Sequence, residues 1–145
     1  MASVEFHFNA PALVPYACRL LRKIHGRGLR TQVVGSSTTL HLLDEALWTF
    51  SSLDFVPHCL NDAPAPLREA SRVLLAPAVQ TDWPREVLVN LGETVPPDFE
   101  GFERIIDVVT VDDLHRAQGR ERWRHYSSLG HSPLRHDLAG SSGNP

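Results

Sequence analysis

The stretch with the most chemical potential is Gly35-Ser36-Ser37-Thr38-Thr39, which follows the apolar run Thr31 to Val34 and precedes a helical pattern. A turn between a strand end and a helix start can present backbone amides to a phosphate. This one has no lysine at the P-loop position, and GxGxxG is absent from the chain. Capping of the following helix by Ser36 or Ser37 accounts for this turn more simply. As a nucleophile, Ser36 lacks the GxSxG frame that exposes a catalytic serine. A small phosphate- or nucleotide-binding α/β enzyme using this turn is therefore the alternative reading. Asp107, Asp112 and Asp113 fall at a strand end and a helix start. Carboxylates there can hold a hard cation, but a solvated turn and a helix N-cap account for them more simply. The eight histidines are scattered. His58 adjoins Cys59, and His131 and His136 flank a proline, without the helical i, i+4 pair or the CxxC motifs of zinc sites. No metal or cofactor is expected, and no catalytic group of the chain's own. Cys18 and Cys59 make no disulfide framework and read as reduced thiols of a cytoplasmic protein.

Two surfaces have the composition of binding sites. Over the second helical pattern, at about 100° per residue, Leu40, Leu43, Ala46, Leu47 and Phe50 share one arc, while Trp48 falls beside His41, Asp44 and Glu45. Either the following loop, with Phe55, Val56 and Pro57, folds back over Trp48, or Trp48 anchors a hydrophobic docking patch. The second surface is the last helix, RAQGRERWRHYSSLG, where Trp123 and Tyr126 are three residues apart. Arg116 and Arg120 precede Trp123 along one edge and Arg124 flanks it. From Leu114 to His136 the arginines are Arg116, Arg120, Arg122, Arg124 and Arg135, against Glu121 alone. Such a strip suits an acidic peptide ending in an apolar side chain or a carboxylate, since guanidinium forks onto carboxylates while rings hold the apolar group. Direct nucleic-acid binding is the rival, because arginine and aromatic rings also serve phosphates and bases. A helix whose aromatics merely pack on the sheet is the third possibility.

A net charge of -3 gives no global pull toward nucleic acid or anionic lipid. At 145 residues, 42% hydrophobic and 21% charged, the chain has the size and composition of one soluble domain. No apolar run approaches the roughly 20 residues a membrane helix needs. The start, MASVEFHFNA, lacks the basic-then-apolar order of a secretory signal. Alternation predicts a strand over Val4–Phe8, and a turn over Asn9–Pro15 leads to a helix with Leu13, Ala17, Leu20, Leu21 and Ile24 on one stripe, ended by Gly26 and Gly28. Further strands are predicted over Thr31–Gly35, Val73–Ala76, Val87–Leu91 and Arg104–Val109. A second helix runs to about Phe50, and a last helix is capped by Asp112 or Asp113 and closed by Gly130 and Pro133. Residues Pro57 to Leu67 read as a loop, and Thr81 to Pro84 as a turn. The alternation of strand and helix defines an α/β domain over residues 1–136, with a largely parallel sheet that the closely spaced later strands can make mixed. The small, polar residues 137–145 read as a flexible tail.

LDEALWTF (Leu43 to Phe50), followed by DFVPH (Asp54 to His58), resembles the signature segment of the chi subunit of bacterial DNA polymerase III. RERWRHYSSLG (Arg120 to Gly130) resembles that family's C-terminal helix. VLVNL and VPPDFEGFERIIDVV follow the family in order, so the similarity runs from about Val4 to about Gly130. The resemblance implies a Rossmann-like α/β fold without a nucleotide site and a non-catalytic subunit of the polymerase holoenzyme. It implies two partners and only indirect contact with DNA. The psi subunit of the clamp loader would meet Trp48, Phe55 and Pro57. The acidic C-terminal tail of single-stranded DNA-binding protein would lie at or near Arg120, Arg122, Trp123, Arg124, Tyr126 and Gly130. In the family a basic residue often follows the motif tyrosine. Here that position is Ser127, and Arg120 or Arg124 is expected to supply the charge.

Overall fold

The apolar runs TQVV, VLLA and VLVN form adjacent strands, buried at every position. Strands covered on both faces lose the polar alternation of half-exposed ones. The computed structural model describes residues 2–49 and 55–139; Phe50, Asp54 and the tail residues 140–145 lie outside them. In chain order the elements are β1 (Ser3–Ala10), α1 (Leu13–Gly26), β2 (Thr31–Val34), α2 (Ser37–Thr49), β3 (His58–Leu60), α3 (Ala65–Ala70), β4 (Val73–Ala76), β5 (Val87–Asn90), β6 (Arg104–Thr110), α4 (Asp113–Ser128) and β7 (Leu134–Asp137). Among the described residues the sheet has seven strands in the order β3-β4-β2-β5-β6-β1-β7. Every pairing is parallel, so the mixed alternative does not arise.

α1 and α2 cover one face. Ala17, Leu20, Leu21 and Ile24 of α1 and Leu40, Leu43 and Leu47 of α2 pack on Val33, Leu75, Val89, Ile106 and Val108. Tyr126 of α4, with Phe99 and Phe102, covers the opposite face over Val4, Phe6, Leu88, Ile105 and Val109. Pro15 is tolerated because it lies in the first turn of α1, where amides have no helical partner. Ser36 caps α2 by accepting a hydrogen bond from the Thr39 amide (3.2 Å), and Asp112 caps α4 by accepting from the His115 amide (3.0 Å).

Three expectations need correction. The segment Pro57 to Leu67 is not a loop throughout, since it contains β3 and the start of α3. Asp137 is not part of a tail; it ends β7, an edge strand whose polar sequence, LRHD, hid it. Asp107 is neither at a strand end nor solvated; it lies inside β6 and is fully buried.

The α1 face of β1 carries a polar cluster. Arg104 donates to both Glu5 carboxylate oxygens (2.6 and 3.0 Å), and His7 Nε2 donates to Glu5 Oε1 (3.1 Å). Burial raises the Glu5 carboxyl, but the hydrogen bonds from His7 and Arg104 outweigh it and bring the group from 4.5 down to about 2. The stabilisation this gives is complete above pH 4.5 and is lost as pH falls through about 2. Urea-unfolding midpoints across that window should fall more steeply for the wild-type chain than for Glu5→Gln; parallel curves would refute the role of Glu5.

Candidate functional site: a basic groove and an apolar patch

Along α4 the stripe that meets the sheet is Gly119, Arg122 and Tyr126, all buried. Gly119 permits a close approach, because a Cβ there would stand 2.8 Å from a methyl of Val109. Positions 116, 120, 123 and 124 are thereby turned toward the β1–β7 side. The result is a groove of about 630 Å³, lined by Phe6, Phe8 and Asn9 of β1, Val109 of β6, Arg135 of β7, and Arg116, Gly119, Arg120, Trp123 and Arg124 of α4. Trp123 is half-buried, its ring 5.0 Å from that of Phe6. The Arg135 guanidinium lies over the Phe8 ring at 5.2 Å.

Asn9 shapes one end of this groove. The pairing of β1 with β6 shifts register between His7 and Ala10, and Asn9 takes a positive φ of 64°. Asparagine tolerates that conformation better than most residues, and such a bulge re-aims the side chain. Asn9 Nδ2 donates to Asp137 Oδ1 (2.8 Å) and its Oδ1 accepts from Arg116 Nη2 (2.8 Å), tying β7 to α4.

Of the residues expected at the basic strip, Arg120, Trp123 and Arg124 line the groove, and Arg122, Tyr126 and Gly130 do not. Arg122 is 2% exposed. Its Nε donates to Asp107 (2.9 and 3.0 Å) and its Nη1 to the Glu93 carbonyl (2.9 Å). Asn90 Nδ2 donates to Asp107 Oδ2 (3.2 Å). Burial pushes the Asp107 carboxyl up, against the pull of the guanidinium and the Asn90 amide. Arg122 therefore fastens α4 to β6 and cannot reach a partner. Tyr126 is sealed between Phe6, Phe99 and His131. Burial, with the Asp107 charge nearby, pushes its phenol up, and its hydroxyl has no hydrogen-bond partner among the described residues. Gly130, at φ 92°, turns the chain from α4 toward β7. Tyr126→Phe should keep stability within about 1 kcal/mol, because a buried hydroxyl without a partner contributes little. It should also leave binding in the groove unchanged, and a tenfold loss of peptide affinity would return Tyr126 to the site.

Phe6, Phe8, Asn9 and Arg135 were absent from the residues expected at the site. The signal for the phenylalanines was the alternation Val4, Phe6, Phe8, which puts three apolar side chains on one face of β1. Arg135 stood in the arginine count, but nothing local marked LRHD as a strand.

The second surface is exposed as well. Trp48 is 59% and Phe55 39% exposed, with ring centroids 5.0 Å apart. Beneath them His58 is buried. Its Nδ1 donates to the Val56 carbonyl (2.7 Å), and its Nε2 lies 3.1 Å from Asp44 Oδ1. Pro57 is half-buried and its carbonyl accepts from the Arg72 amide (2.8 Å). Phe55 to His58 thus flank Trp48 without covering it.

The Gly35–Thr39 turn opens on a second hollow, of about 470 Å³, whose lining includes Ser36, Thr39, Asn90, Glu93 and His115. Ser36 is engaged as the α2 cap, and Glu93 is the acidic residue among those lining the hollow.

These elements define an all-parallel α/β domain with helices on both faces, a class shared with solved structures of unrelated sequence. The C-terminal domain of the DEAD-box protein Dbp5 superposes with a TM-score of 0.61 at 13% identity, over 95% of this chain and 91% of that one, a likeness of fold alone. The chain belongs to the DNA polymerase III chi subunit (HolC) family, whose profile matches residues 1–133. It is similar to DNA polymerase III subunit chi of Pseudomonas aeruginosa, 28% identical over 95% of this chain and 98% of the relative. It is also similar to subunit chi of Haemophilus influenzae, 30% identical over 74% of this chain and 75% of the relative. Membership places it among the subunits of DNA polymerase III, in DNA replication.

Proposed function

We propose that the chain is a non-catalytic adaptor that joins the clamp loader to DNA coated with single-stranded DNA-binding protein. The groove over Trp123 takes the acidic C-terminal tail of that protein, and the Trp48–Phe55 patch meets the psi subunit. The observation that carries the tail assignment is the grouping of Arg116, Arg120, Arg124 and Arg135 around the rings of Trp123, Phe6 and Phe8, on a chain whose net charge is negative. Guanidinium groups fork onto carboxylates, and the aromatic floor holds an apolar side chain. Contact with DNA is indirect. Several modest tail contacts in parallel raise the effective concentration enough to hold a replicase at the fork.

Titration of the full chain with a synthetic peptide of the tail tests this. The expected result is binding that weakens with rising salt and falls about tenfold or more in Trp123→Ala and in Arg120→Ala. Binding unchanged in both variants would overturn the tail assignment.

A further inference from the structure

The arginines of the groove differ in what they already hold. Arg116 is engaged by Asn9, Arg124 by Glu121, and Arg122, beneath the floor, by Asp107 and Glu93. Among the described residues, Arg120 makes no hydrogen bond or ion pair, and Arg135 makes only its stacking contact with Phe8. Both side chains are exposed, and they stand on different elements: Arg120 on α4, Arg135 on the edge strand β7. The aromatic rings of Trp123 and Phe8 belong to the same lining. The groove therefore has two walls, each with one guanidinium whose donors are unspent.

We propose that Arg135 is a specificity-determining residue of this groove. Arg120 and Arg135 take two separate carboxylates of one acidic peptide, one at its chain end and one on a side chain, while an apolar side chain rests on Trp123 and Phe8. This rests on the tail-binding reading above and adds to it the second wall. A peptide end offers two discrete negative groups on either side of an apolar residue, which matches two discrete guanidinium groups beside a ring floor. A nucleic-acid strand carries evenly spaced phosphates and no apolar side chain set between two discrete charges. The clamp also has a mechanical signature. β7 is joined to the sheet on one side only, through its pairing with β1, the Asn9–Asp137 hydrogen bond and the stacking of His136 on His7 at 4.5 Å. A ligand held by both arginines links β7 to α4 and so slows opening of that strand.

The test is calorimetric titration of the full chain with three synthetic peptides: the acidic tail, the same peptide with an amidated end, and the same peptide with its acidic side chains replaced by amides. Amide hydrogen exchange in β7 is followed in parallel. Arg135→Ala should weaken binding of the acidic peptide about tenfold, lose sensitivity to one of the two neutralisations, and abolish the added protection of β7. Arg135→Lys should recover part of the affinity but not all of it. Both substitutions are at an exposed position, and equal unfolding midpoints verify that the fold is intact. Wild-type binding by Arg135→Ala, with binding lost in Arg120→Ala and Trp123→Ala, would overturn the clamp and leave the tail site standing. Wild-type binding by all of the variants would overturn the tail site itself. An oligothymidylate whose binding falls in Arg135→Ala while peptide binding does not would overturn the clamp in favour of a nucleic-acid ligand.

Discussion

Arg122→Ala is expected to destabilise the protein by about 3–5 kcal/mol, since removing one partner of a buried ion pair strands the other charge without water. Asp107→Ala should do the same. The pair lies at 2% and 0% side-chain exposure and gathers Asn90 and the Glu93 carbonyl around it, so one deletion leaves several polar atoms unmatched. The double variant Arg122→Met with Asp107→Leu should recover much of the loss, because an apolar pair of similar volume avoids desolvating either charge. Urea-unfolding midpoints of the three variants decide the matter, and single losses below about 1 kcal/mol would show that the pair is not what holds α4. Folded Arg122→Met, Asp107→Leu protein should bind the acidic peptide normally, because neither side chain reaches the groove. This separates Arg122, a fastener of the fold, from Arg120 and Arg124, two residues away on the other side of the same helix.

Trp48→Ala is expected to weaken retention of the psi subunit by about thirtyfold or more, the loss usual for a tryptophan at the centre of a docking surface. Co-purification and direct titration with psi measure it. Trp48 is 59% exposed and its main neighbours are Phe55 and His58, so the unfolding midpoint should move little. Peptide binding in the Trp123 groove should be untouched, because the two surfaces share no residue. Retention equal to wild type would remove Trp48 from the psi surface. Simultaneous loss of psi and peptide binding would mean that the substitution had disturbed the fold rather than one contact.

The central strands could be read directly because they are apolar throughout, and α1 because its buried stripe is apolar. The edges could not. β3 is three residues in a segment dominated by Asn, Asp and Pro, and it pairs with β4 alone. β7 is polar because an edge strand faces water, so it has no hydrophobic period to find. On α4 the difficulty was different. Its sequence, DLHRAQGRERWRHYSS, offers almost no apolar residues, so the face that meets the sheet is made of a glycine, an arginine and a tyrosine. Counting arginines along the helix could not separate Arg122 from its neighbours. The available clue lay elsewhere: a lone Asp107 inside the apolar run RIIDVVT needs a buried partner of opposite charge. Trp48 could be placed on a polar helix face by angle, but whether the following loop covered it depended on the path of Phe55 to His58, which no periodicity encodes.

The order of the strands sets how the molecule bears load. The Trp48 patch lies by β3 at one end of the sheet and the groove lies over β1 and β7 at the other, with six inter-strand steps from β3 to β7. At about 4.8 Å a step, those ends are roughly 30 Å apart. Tension between partners held at the two ends runs across the strands, along the hydrogen-bonding direction, so each ladder is peeled open instead of sheared. For load entering through Phe55 and His58, rupture begins at the shortest seam, and the three-residue register of β3 against β4 would act as the mechanical fuse.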